Sequence, residues 1–455
     1  MPPCPRSLTG QHFVSSNLQD EVLKSHSVGG IIPAMRIAML SYHTCPLATL
    51  GGKDTGGMNV YVRDLSRELG RRGIGLDVFT RSQDEHQPHV KENLGYGNRV
   101  IHIPSGPEVP LSKDVLYAHV PEFVGGVREF TRWQHESYDL IHSHYWLSGV
   151  AARSLSTAWN VPFIQMFHTL GHMKNRVAQS PADREGDLRI RTETELLHEA
   201  DRIIAATPAE LAQLQWLYRA DVSRVTVIPP GVDTTHFYPQ PKRQAKARLH
   251  IDPEAQLLLF VGRIEPLKGV ETLFEAVAIL RDRGVCECSQ MCVAIIGGDS
   301  SSTAAMQNAE MDRLKLLRED LGIADLVTFL GAMDQDALPD YYAAAEVVIM
   351  PSHYESFGMV ALEAMACGTP VIASEVGGLA YLVRDGETGF HVPDRDPVIL
   401  ADRICDIITD PLLQQELGEH AARHAQNYAW PLIADKIEAV YAEVLERRLS
   451  VPVAA

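Results

Sequence analysis

The amino-acid sequence predicts an α/β protein with two Rossmann-like domains, each built on a parallel sheet, that face each other across a cleft. Three observations lead to this fold class. The chain has 455 residues, which is more than one hydrophobic core usually serves. Short apolar runs alternate with helical patterns, as in strand–helix–strand units with right-handed crossovers. The alternation restarts after a polar stretch near the middle of the chain, so two sheets are expected.

The first series of elements is expected over residues 35–230. Residues 35–41 form a short apolar run bounded by turn-forming residues, as buried parallel strands do. A glycine-rich loop, 51–57, leads into a helix over 58–72. Further buried strands are predicted at 76–80, 140–144, 163–167 and 203–206, and the segment 225–231 closes this half of the chain. Residues 1–34 are polar and lack the apolar segment of a secretory signal, so we expect a flexible extension there.

The second series is expected over residues 249–428, after a polar linker at 231–248. Its buried strands are predicted at 257–263, 293–296, 327–330, 347–350 and 371–373. The amphipathic pattern of residues 429–448 predicts a last helix that packs back onto the first domain, followed by a tail at 449–455.

Composition excludes several classes of protein. The 41 Lys and Arg residues against 58 Asp and Glu residues give a formal charge of -17, which disfavours nucleic acid and anionic membranes as partners. No apolar run reaches the length of a membrane-spanning helix. Seven cysteines fit a reducing compartment, and hence the cytoplasm, better than a disulfide framework. We expect no metal site, because the cluster Cys286, Cys288 and Cys292 lacks a fourth ligand nearby.

Two glycine-containing turns are candidates for binding phosphate oxygens. Gly56 and Gly57 precede a helix, whose positive end presents backbone N–H groups. The turn Gly262–Gly269 carries Arg263 and Lys268, whose charges suit a departing nucleotide diphosphate. Neither turn matches the dinucleotide fingerprint or the Walker sequence, which argues against an NAD-dependent dehydrogenase and an NTPase.

Two glutamates, Glu355 and Glu363, follow the predicted strand 347–350 at the carboxyl edge of the second sheet. Ligands of open α/β sheets bind at this edge, and carboxylates hold sugar hydroxyls by charge-assisted hydrogen bonds. In the first domain two neighbouring strands run into His144 and His168 at the corresponding edge. Neutral His168 is therefore a candidate for a hydrogen bond to a sugar hydroxyl.

Four segments carry a family resemblance: Asp54–Tyr61, Tyr138–Gly149, Gly262–Gly269 and Glu355–Pro370. Together they resemble the retaining GT-B glycosyltransferases of family 4, which include sucrose-phosphate synthases and the transferase of mycothiol biosynthesis that joins N-acetylglucosamine to inositol phosphate. The mycothiol enzyme is the more similar of the two in the first two segments. The resemblance runs from residue 35 to about residue 428. It implies a GT-B fold, a UDP-sugar held mainly by the second domain and an acceptor on the first.

The resemblance also implies roles for individual residues. Arg263 and Lys268 would bind the diphosphate, Glu363 the ribose hydroxyls, Glu355 the sugar ring and His168 its 6-hydroxyl. Of these, the implied catalytic residues are His168, Arg263, Lys268 and Glu355. The remaining positions implied for the donor are Gly57, through its backbone N–H group, and Met333, Ser356, Phe357 and Gly358. The leaving phosphate, and no protein carboxylate, would take the proton of the acceptor.

The acceptor site implied by the resemblance holds an inositol phosphate. Its phosphate would be bound by Lys113, Tyr145, Thr169 and Arg189, and its ring by Asn59. Cations and hydroxyl donors that converge on one point are what phosphate recognition requires. The sequence departs from the pattern expected of the mycothiol enzyme at 172–175 and 181–188, both in the predicted acceptor region.

The sequence favours a phosphorylated polyol or hexose as acceptor and leaves the donor sugar open between glucose and N-acetylglucosamine. The alternatives are a sucrose-phosphate-synthase activity on fructose 6-phosphate, a transferase for polysaccharide or glycolipid, and a sugar-nucleotide-binding protein without turnover. No cofactor beyond the UDP-sugar substrate is expected, and a homodimer is compatible with the sequence. We also expect the two domains to close over the donor about a hinge near Pro229, Pro230 and the C-terminal crossover.

Overall fold

The computed structural model of the protein describes residues 35–48, 56–178, 184–285, 290–298 and 305–450. The predicted N-terminal extension, most of the glycine-rich loop 51–57, Cys286 and Cys288, and the last five residues of the predicted tail lie outside the described residues. Two sheets with helices packed on their faces make up the described part, as the alternation of the sequence predicts.

Among the described residues the first sheet contains eight strands, whose bounds are β1 (Arg36–Leu40), β2 (Gly75–Arg81), β3 (Val90–Gly95), β4 (Asn98–Ile103), β5 (Leu140–His144), β6 (Phe163–Met166), β7 (Arg202–Ala205) and β8 (Val225–Val227). Their order across the sheet is β3-β4-β2-β1-β5-β6-β7-β8. The neighbours are parallel except for β3 and β4, which are antiparallel. The order reverses at β1, and ligands of such sheets bind at a reversal of this kind.

In the part of the chain that the structure describes, the second sheet contains six strands, whose bounds are β9 (Gln256–Val261), β10 (Met291–Ile296), β11 (Val327–Gly331), β12 (Val347–Met350), β13 (Val371–Ser374) and β14 (Gly389–Val392). Their order is β11-β10-β9-β12-β13-β14, and all neighbours are parallel. The reversal lies at β9. The turn that follows β9 and the loop that follows β12 therefore meet at the carboxyl edge of this sheet.

The helices connect successive strands and cover both sheets. Their bounds are α1 (Gly57–Arg71), α2 (Lys113–Ala118), α3 (Val120–Gln134), α4 (Trp146–Trp159), α5 (Gly171–Val177), α6 (Asp187–Glu199), α7 (Pro208–Tyr218), α8 (Lys242–Arg248), α9 (Val270–Asp282), α10 (Ala305–Asp320), α11 (Leu338–Ala344), α12 (Met359–Ala366), α13 (Leu379–Leu382), α14 (Pro397–Thr409), α15 (Pro411–Ala425) and α16 (Trp430–Ser450).

Strands β3 and β4 form a hairpin that the sequence did not predict. Gly95 pairs with Asn98 across a two-residue turn, and both turn residues have positive φ, 57° at Tyr96 and 77° at Gly97. This is the backbone geometry of tight hairpin turns. Most residues of β3 are exposed, as in an edge strand, so it lacks the apolar run by which the other strands were recognised. Strand β14 was also missed, since Gly389 and His391 interrupt its short apolar run.

The predicted linker 231–248 contains helix α8, which packs against α11 of the second sheet unit. Lys246 of α8 is buried, and its Nζ donates to Glu346 Oε1 at 3.0 Å and to the carbonyl oxygen of Ala255 at 2.5 Å. A buried lysine requires partners of this kind. The polar composition that suggested a linker is therefore explained, over α8, by an amphipathic helix of the second unit.

The chain passes between the two sheet units twice, and the two crossings lie side by side. The Val232 N–H group donates to the Tyr428 carbonyl oxygen at 2.8 Å, and the Trp430 N–H group donates to the Val232 carbonyl oxygen at 3.2 Å. A Cβ atom on Gly231 would lie 2.5 Å from the Trp430 ring, so the two segments are in close contact.

The last helix, α16, packs on the first sheet unit. Arg72 at the end of α1 forms ion pairs with Asp435 at 2.6 Å and Glu438 at 2.8 Å, both on α16. Further along, the Tyr441 hydroxyl lies 2.8 Å from His142 Nδ1 of β5. The chain thus returns from the second unit to the first at its C-terminal end. No helix of the described residues is both long and apolar enough to cross a membrane.

Candidate active site

The carboxyl ends of the two sheets border a cavity of about 270 Å³. The first unit contributes the first turn of α1 and the residues that follow β5 and β6, and the second unit contributes the residues that follow β9 and β12. The predicted site residues that line this cavity are Gly57, Asn59, Lys113, Tyr145, His168, Thr169, Arg263, Lys268, Glu355, Ser356, Phe357 and Gly358. Arg189, Met333 and Glu363 are not among the described residues that line it.

The turn between β9 and α9 carries two cations. Lys268 Nζ forms an ion pair with Glu355 Oε2, and both side chains are largely buried. Arg263 Nη1 lies 2.9 Å from Glu265 Oε1. A Cβ atom on Gly56 would lie only 3.9 Å from Arg263 Nε, so the arginine reaches the first unit across the cavity. The two cations therefore stand where an anion in the cavity would meet them.

The loop after β12 places Glu355 by backbone contacts. The Gly378 N–H group donates to the Glu355 carbonyl oxygen at 2.8 Å. A Cβ atom on Gly377 would lie 2.0 Å from that same oxygen, so the two backbone segments are in direct contact. Gly358, with φ of 108°, then turns the chain into α12. The first N–H groups of a helix have no partner within it, and here this positive end faces the cavity.

Glu363 lies one turn further along α12, and its carboxylate is buried. Gln335 Nε2 donates to Oε1 at 2.7 Å, and the Tyr342 hydroxyl donates to Oε2 at 2.8 Å. Burial raises the pKa of Glu363 to about 7, although both hydrogen bonds favour the charged form. Both carboxylate oxygens thus already have partners, which the sequence pattern did not indicate.

The raised pKa of Glu363 leads to a prediction for stability. Between about pH 4.5 and pH 7 the folded protein holds this proton and the unfolded chain has released it, so the free energy of unfolding falls as pH rises through this range. In Glu363→Gln the number of protons released on unfolding is expected to fall by about one, so the free energy of unfolding depends less steeply on pH. Denaturant unfolding from pH 4.5 to pH 8 measures this slope. Part of the slope should remain, because burial also raises the pKa of Glu210 to about 7. Glu416→Gln, at an exposed position of α15, serves as the control and should reproduce the wild-type slope.

The first wall of the cavity is held by Asn59 of α1. Its Oδ1 accepts from the Gly56 N–H group at 2.9 Å. Its Nδ2 donates to Thr44 Oγ1 and to the Cys45 carbonyl oxygen, both at 2.7 Å. Asn59 is buried and joins the start of α1 to the loop after β1. In this structure its side chain therefore fixes the shape of the wall on which it lies.

His168 has a φ of 60°, a left-handed conformation that is uncommon outside glycine and concentrated at functional sites. Its Nε2 lies 2.9 Å from Nδ1 of His144, the last residue of β5. Burial lowers the pKa of His168 to about 3 and that of His144 well below its ordinary value. Both rings are therefore neutral at pH 7. Since Nε2 of His168 meets His144, Nδ1 is the nitrogen left for a ligand.

The predicted phosphate ligands lie around the ring of Tyr145. Lys113 Nζ is 5.7 Å and the guanidinium carbon of Arg189 is 4.9 Å from the centre of this ring. Arg189 Nη2 donates to the carbonyl oxygen and to Oγ1 of Thr169, at 2.8 Å and 3.0 Å. Its Nε donates to Glu193 at 2.7 Å. The structure therefore brings the four predicted residues together and places Arg189 behind Thr169 and Tyr145.

Lys174 of α5 lines the same cavity and was not singled out from the sequence. It follows the pair His168 and Thr169 closely in the chain, which was the available signal. A lysine on a short helix is usually solvated, however, and the sequence does not show which way α5 turns. Gln335 and Tyr342, the partners of Glu363, were also missed. They follow β11 and Glu363 follows β12, and the sequence does not show that these two connections touch.

Comparison with known proteins gives consistent matches along the chain. The family described as "Glycosyltransferase Family 4" matches residues 55–236, and the family described as "Glycosyl transferases group 1" matches residues 241–424. D-inositol 3-phosphate glycosyltransferase 2 of Catenulispora acidiphila is 42% identical over 413 residues, which cover 90% of this chain and 95% of that protein. The D-inositol 3-phosphate glycosyltransferase of Acidothermus cellulolyticus is 40% identical over 423 residues, 93% of each chain. Among solved structures, sucrose-phosphate synthase from Thermosynechococcus elongatus has a TM-score of 0.83 and 35% identity, covering 91% of this chain and 100% of that one.

Proposed function

We propose a donor and an acceptor for this chain, which belongs to the group 1 and family 4 glycosyltransferases. The resemblance predicted from the sequence motifs and the two-sheet GT-B fold are confirmed by these matches. We infer that the donor is a UDP-sugar and that the acceptor is an inositol phosphate. The sugar is transferred with its anomeric configuration retained.

The donor assignment is supported by the side of the cavity that the second sheet unit forms. Arg263, Lys268 and the N-terminal end of α12 place positive charge on one side, opposite the N-terminal end of α1. A leaving diphosphate gains negative charge in the transition state, and fixed cations at that position lower the barrier. The uridine base and the ribose contacts of Glu363 rest on the family resemblance, and ribose binding there requires the Glu363 carboxylate to exchange a present partner.

The proposed reaction uses no protein nucleophile. Glu355 is ion-paired with Lys268, which suits a carboxylate that orients the sugar ring. The acceptor hydroxyl oxygen bonds to the anomeric carbon on the face that the diphosphate leaves. The bond from that carbon to the β-phosphate oxygen breaks, and its electron pair stays with UDP. The proton of the acceptor hydroxyl passes to a phosphate oxygen of UDP, and His168 Nδ1 positions the sugar.

The acceptor assignment is carried by one observation: Lys113, Tyr145, Thr169 and Lys174 line the same cavity, with the Lys113 ammonium over the Tyr145 ring. Cations and hydroxyl groups around one point suit a phosphate monoester. The relatives at 42% and 40% identity are named for D-inositol 3-phosphate, which supports inositol as the alcohol. The 35% identical sucrose-phosphate synthase supports fructose 6-phosphate as the second candidate.

The test is UDP release from the purified protein with UDP-glucose or UDP-N-acetylglucosamine. Each donor is combined with inositol 3-phosphate, fructose 6-phosphate, myo-inositol and fructose. We expect release with inositol 3-phosphate and little with the unphosphorylated sugars, because these lack the phosphate group that the acceptor cations would bind. Release with fructose 6-phosphate alone favours the second candidate. Release only with unphosphorylated acceptors, or UDP-sugar binding with no product from any acceptor, contradicts the proposal.

A further inference from the structure

A carboxylate lies directly beside the acceptor cations. Glu185 Oε1 is 2.7 Å from Arg189 Nη1 and 3.2 Å from Lys174 Nζ. Lys174 lines the cavity together with Lys113 and Tyr145, so this carboxylate meets the cations that face a bound acceptor. An anionic ligand of Lys174 therefore has to compete with an anion that the protein already supplies.

The position of Glu185 is fixed by its backbone. Asn175, the neighbour of Lys174 on α5, accepts from the Glu185 N–H group through Oδ1 at 2.7 Å. Its Nδ2 donates back to the Glu185 carbonyl oxygen at 3.1 Å. Asn175 of α5 thus holds the backbone of Glu185, while the preceding residue of the helix, Lys174, pairs with its carboxylate. The backbone hydrogen bonds therefore hold Glu185 in position to contact Lys174.

The charges around the site are close to balance. Three cations, Lys113, Lys174 and Arg189, stand against two carboxylates, Glu185 and Glu193. Burial raises the pKa of Glu185, but Arg189 and Lys174 outweigh it and hold that pKa below its ordinary value, so the carboxylate is charged at pH 7. Burial and the neighbouring charge of Lys113 lower the pKa of Lys174. These shifts are the ones expected when an anion compensates a group of crowded cations.

The two carboxylates differ in what they hold. Glu193 is fully buried and accepts hydrogen bonds from the Gly171 N–H group, the Tyr218 hydroxyl and Arg189. It belongs to the permanent framework. Glu185 is partly exposed, and its carboxylate pairs with Lys174 and Arg189 at the edge of the site. Of the two, Glu185 is the one that can be exchanged for a ligand.

A second observation points to a missing ligand at the same place. Tyr145 is 96% buried and lines the cavity, and its hydroxyl has no hydrogen-bond partner among the described residues. A buried hydroxyl without a partner is costly and needs a reason. Lys113 and Arg189 flank its ring, so an anionic oxygen near them would also reach this hydroxyl.

We propose that Lys174 is a ligand of the acceptor's anionic group and that Glu185 occupies Lys174 until that group replaces it. The inference rests on the proposed function and adds a specificity rule to it. A phosphate monoester can displace the carboxylate because it brings more negative charge and more acceptor oxygens. An unphosphorylated alcohol cannot, and leaves the pair of Lys174 and Glu185 intact.

The test compares Lys174→Gln with Glu185→Gln, two neutral replacements of similar shape. Lys174→Gln is expected to raise KM for the phosphorylated acceptor about tenfold or more, the effect of losing a charge-assisted hydrogen bond. Glu185→Gln is expected to lower that KM several-fold, because the competing anion is removed. KM for the UDP-sugar should stay unchanged in both variants. Lys436→Gln and Glu416→Gln, at exposed positions of α16 and α15, are the matched controls and should behave as wild type.

Two results overturn the inference. The first is an unchanged acceptor KM for Lys174→Gln. The second is a higher acceptor KM for Glu185→Gln, which would mean that Glu185 serves to hold Arg189 in place. If the wild type transfers to no phosphorylated acceptor, the proposed function fails first. The inference is then judged by calorimetric binding of inositol 3-phosphate and of inorganic phosphate. Weaker binding by Lys174→Gln than by wild type supports it, and equal or absent binding overturns it.

Discussion

Replacing Lys268 with methionine is expected to lower kcat by about 10²–10³-fold, the range found when one preorganised donor to a developing negative charge is removed. Lys268 lies on the turn after β9, faces the cavity and pairs with Glu355. The variant loses the positive charge that the leaving diphosphate meets. Steady-state UDP release at saturating donor and acceptor measures the effect. A kcat within about threefold of wild type would show that Lys268 only braces Glu355.

Lys242→Met is the matched control for this experiment. Lys242 is also a partly buried lysine of the second unit that pairs with a glutamate, at 3.3 Å from Glu346 Oε1. It lies on α8, away from the described residues that line the cavity. The control should lower the thermal midpoint somewhat and leave kcat unchanged. Loss of activity in Lys268→Met alone then reflects the site and excludes a general cost of breaking a Lys–Glu pair.

The double variant Lys268→Met, Glu355→Gln separates two effects of losing the lysine. In the single variant the Glu355 carboxylate is left unpaired and faces the diphosphate, so like-charge repulsion adds to the loss. Removing the Glu355 charge as well is expected to recover part of the donor affinity, measured by calorimetry with UDP. It should not recover kcat, since the charge that stabilises the leaving group is still absent. Recovery of kcat would assign the damage to repulsion alone.

The sheets could be predicted from the sequence because their central strands are buried on both faces. Runs such as residues 257–261 and 347–350 contain apolar residues almost without interruption, which is typical of parallel strands under helices. The hairpin of β3 and β4 was not predicted, for the opposite reason. Its edge strand is mostly exposed and carries charged residues, so only the tertiary pairing with β4 makes it a strand.

The candidate site could be predicted as far as the topology places it. Parallel strands of one sheet end at the same edge, so the residues after β5 and β6 had to lie together at the edge of the first sheet, and those after β9 and β12 at the edge of the second. Residues from all four connections line the cavity. Contacts between different connections could not be predicted. The pairing of Lys174 with Glu185 depends on the direction of α5, and the hydrogen bond from Gln335 to Glu363 joins the segment after β11 to helix α12. Sequence spacing does not encode such distances.

Replacing Gly269 with alanine is expected to reduce both stability and activity. Gly269 follows Lys268, has a φ of 63° and starts α9. A Cβ atom there would lie 2.0 Å from the carbonyl oxygen of Pro351, the first residue of the loop that carries Glu355. The left-handed conformation costs about 1–2 kcal/mol for a residue with a side chain, and the overlap adds about 1–3 kcal/mol. To relieve the overlap, the segments that carry Lys268 and Glu355 must move apart.

Gly322→Ala separates the two costs, because Gly322 has a φ of 67° and, apart from its chain neighbours, no described residue has a heavy atom within 4 Å of where a Cβ would lie. It should lose only the conformational part, about 1–2 kcal/mol, and keep the wild-type kcat. Gly269→Ala should show the larger fall in unfolding free energy by denaturant titration. At a temperature where both variants are folded, its UDP release should also be lower, since the ion pair of Lys268 and Glu355 is displaced. Equal losses of stability in the two variants, with full activity in both, would contradict this prediction. They would mean that the loop at Pro351 moves without cost and that the positions of Lys268 and Glu355 do not depend on it.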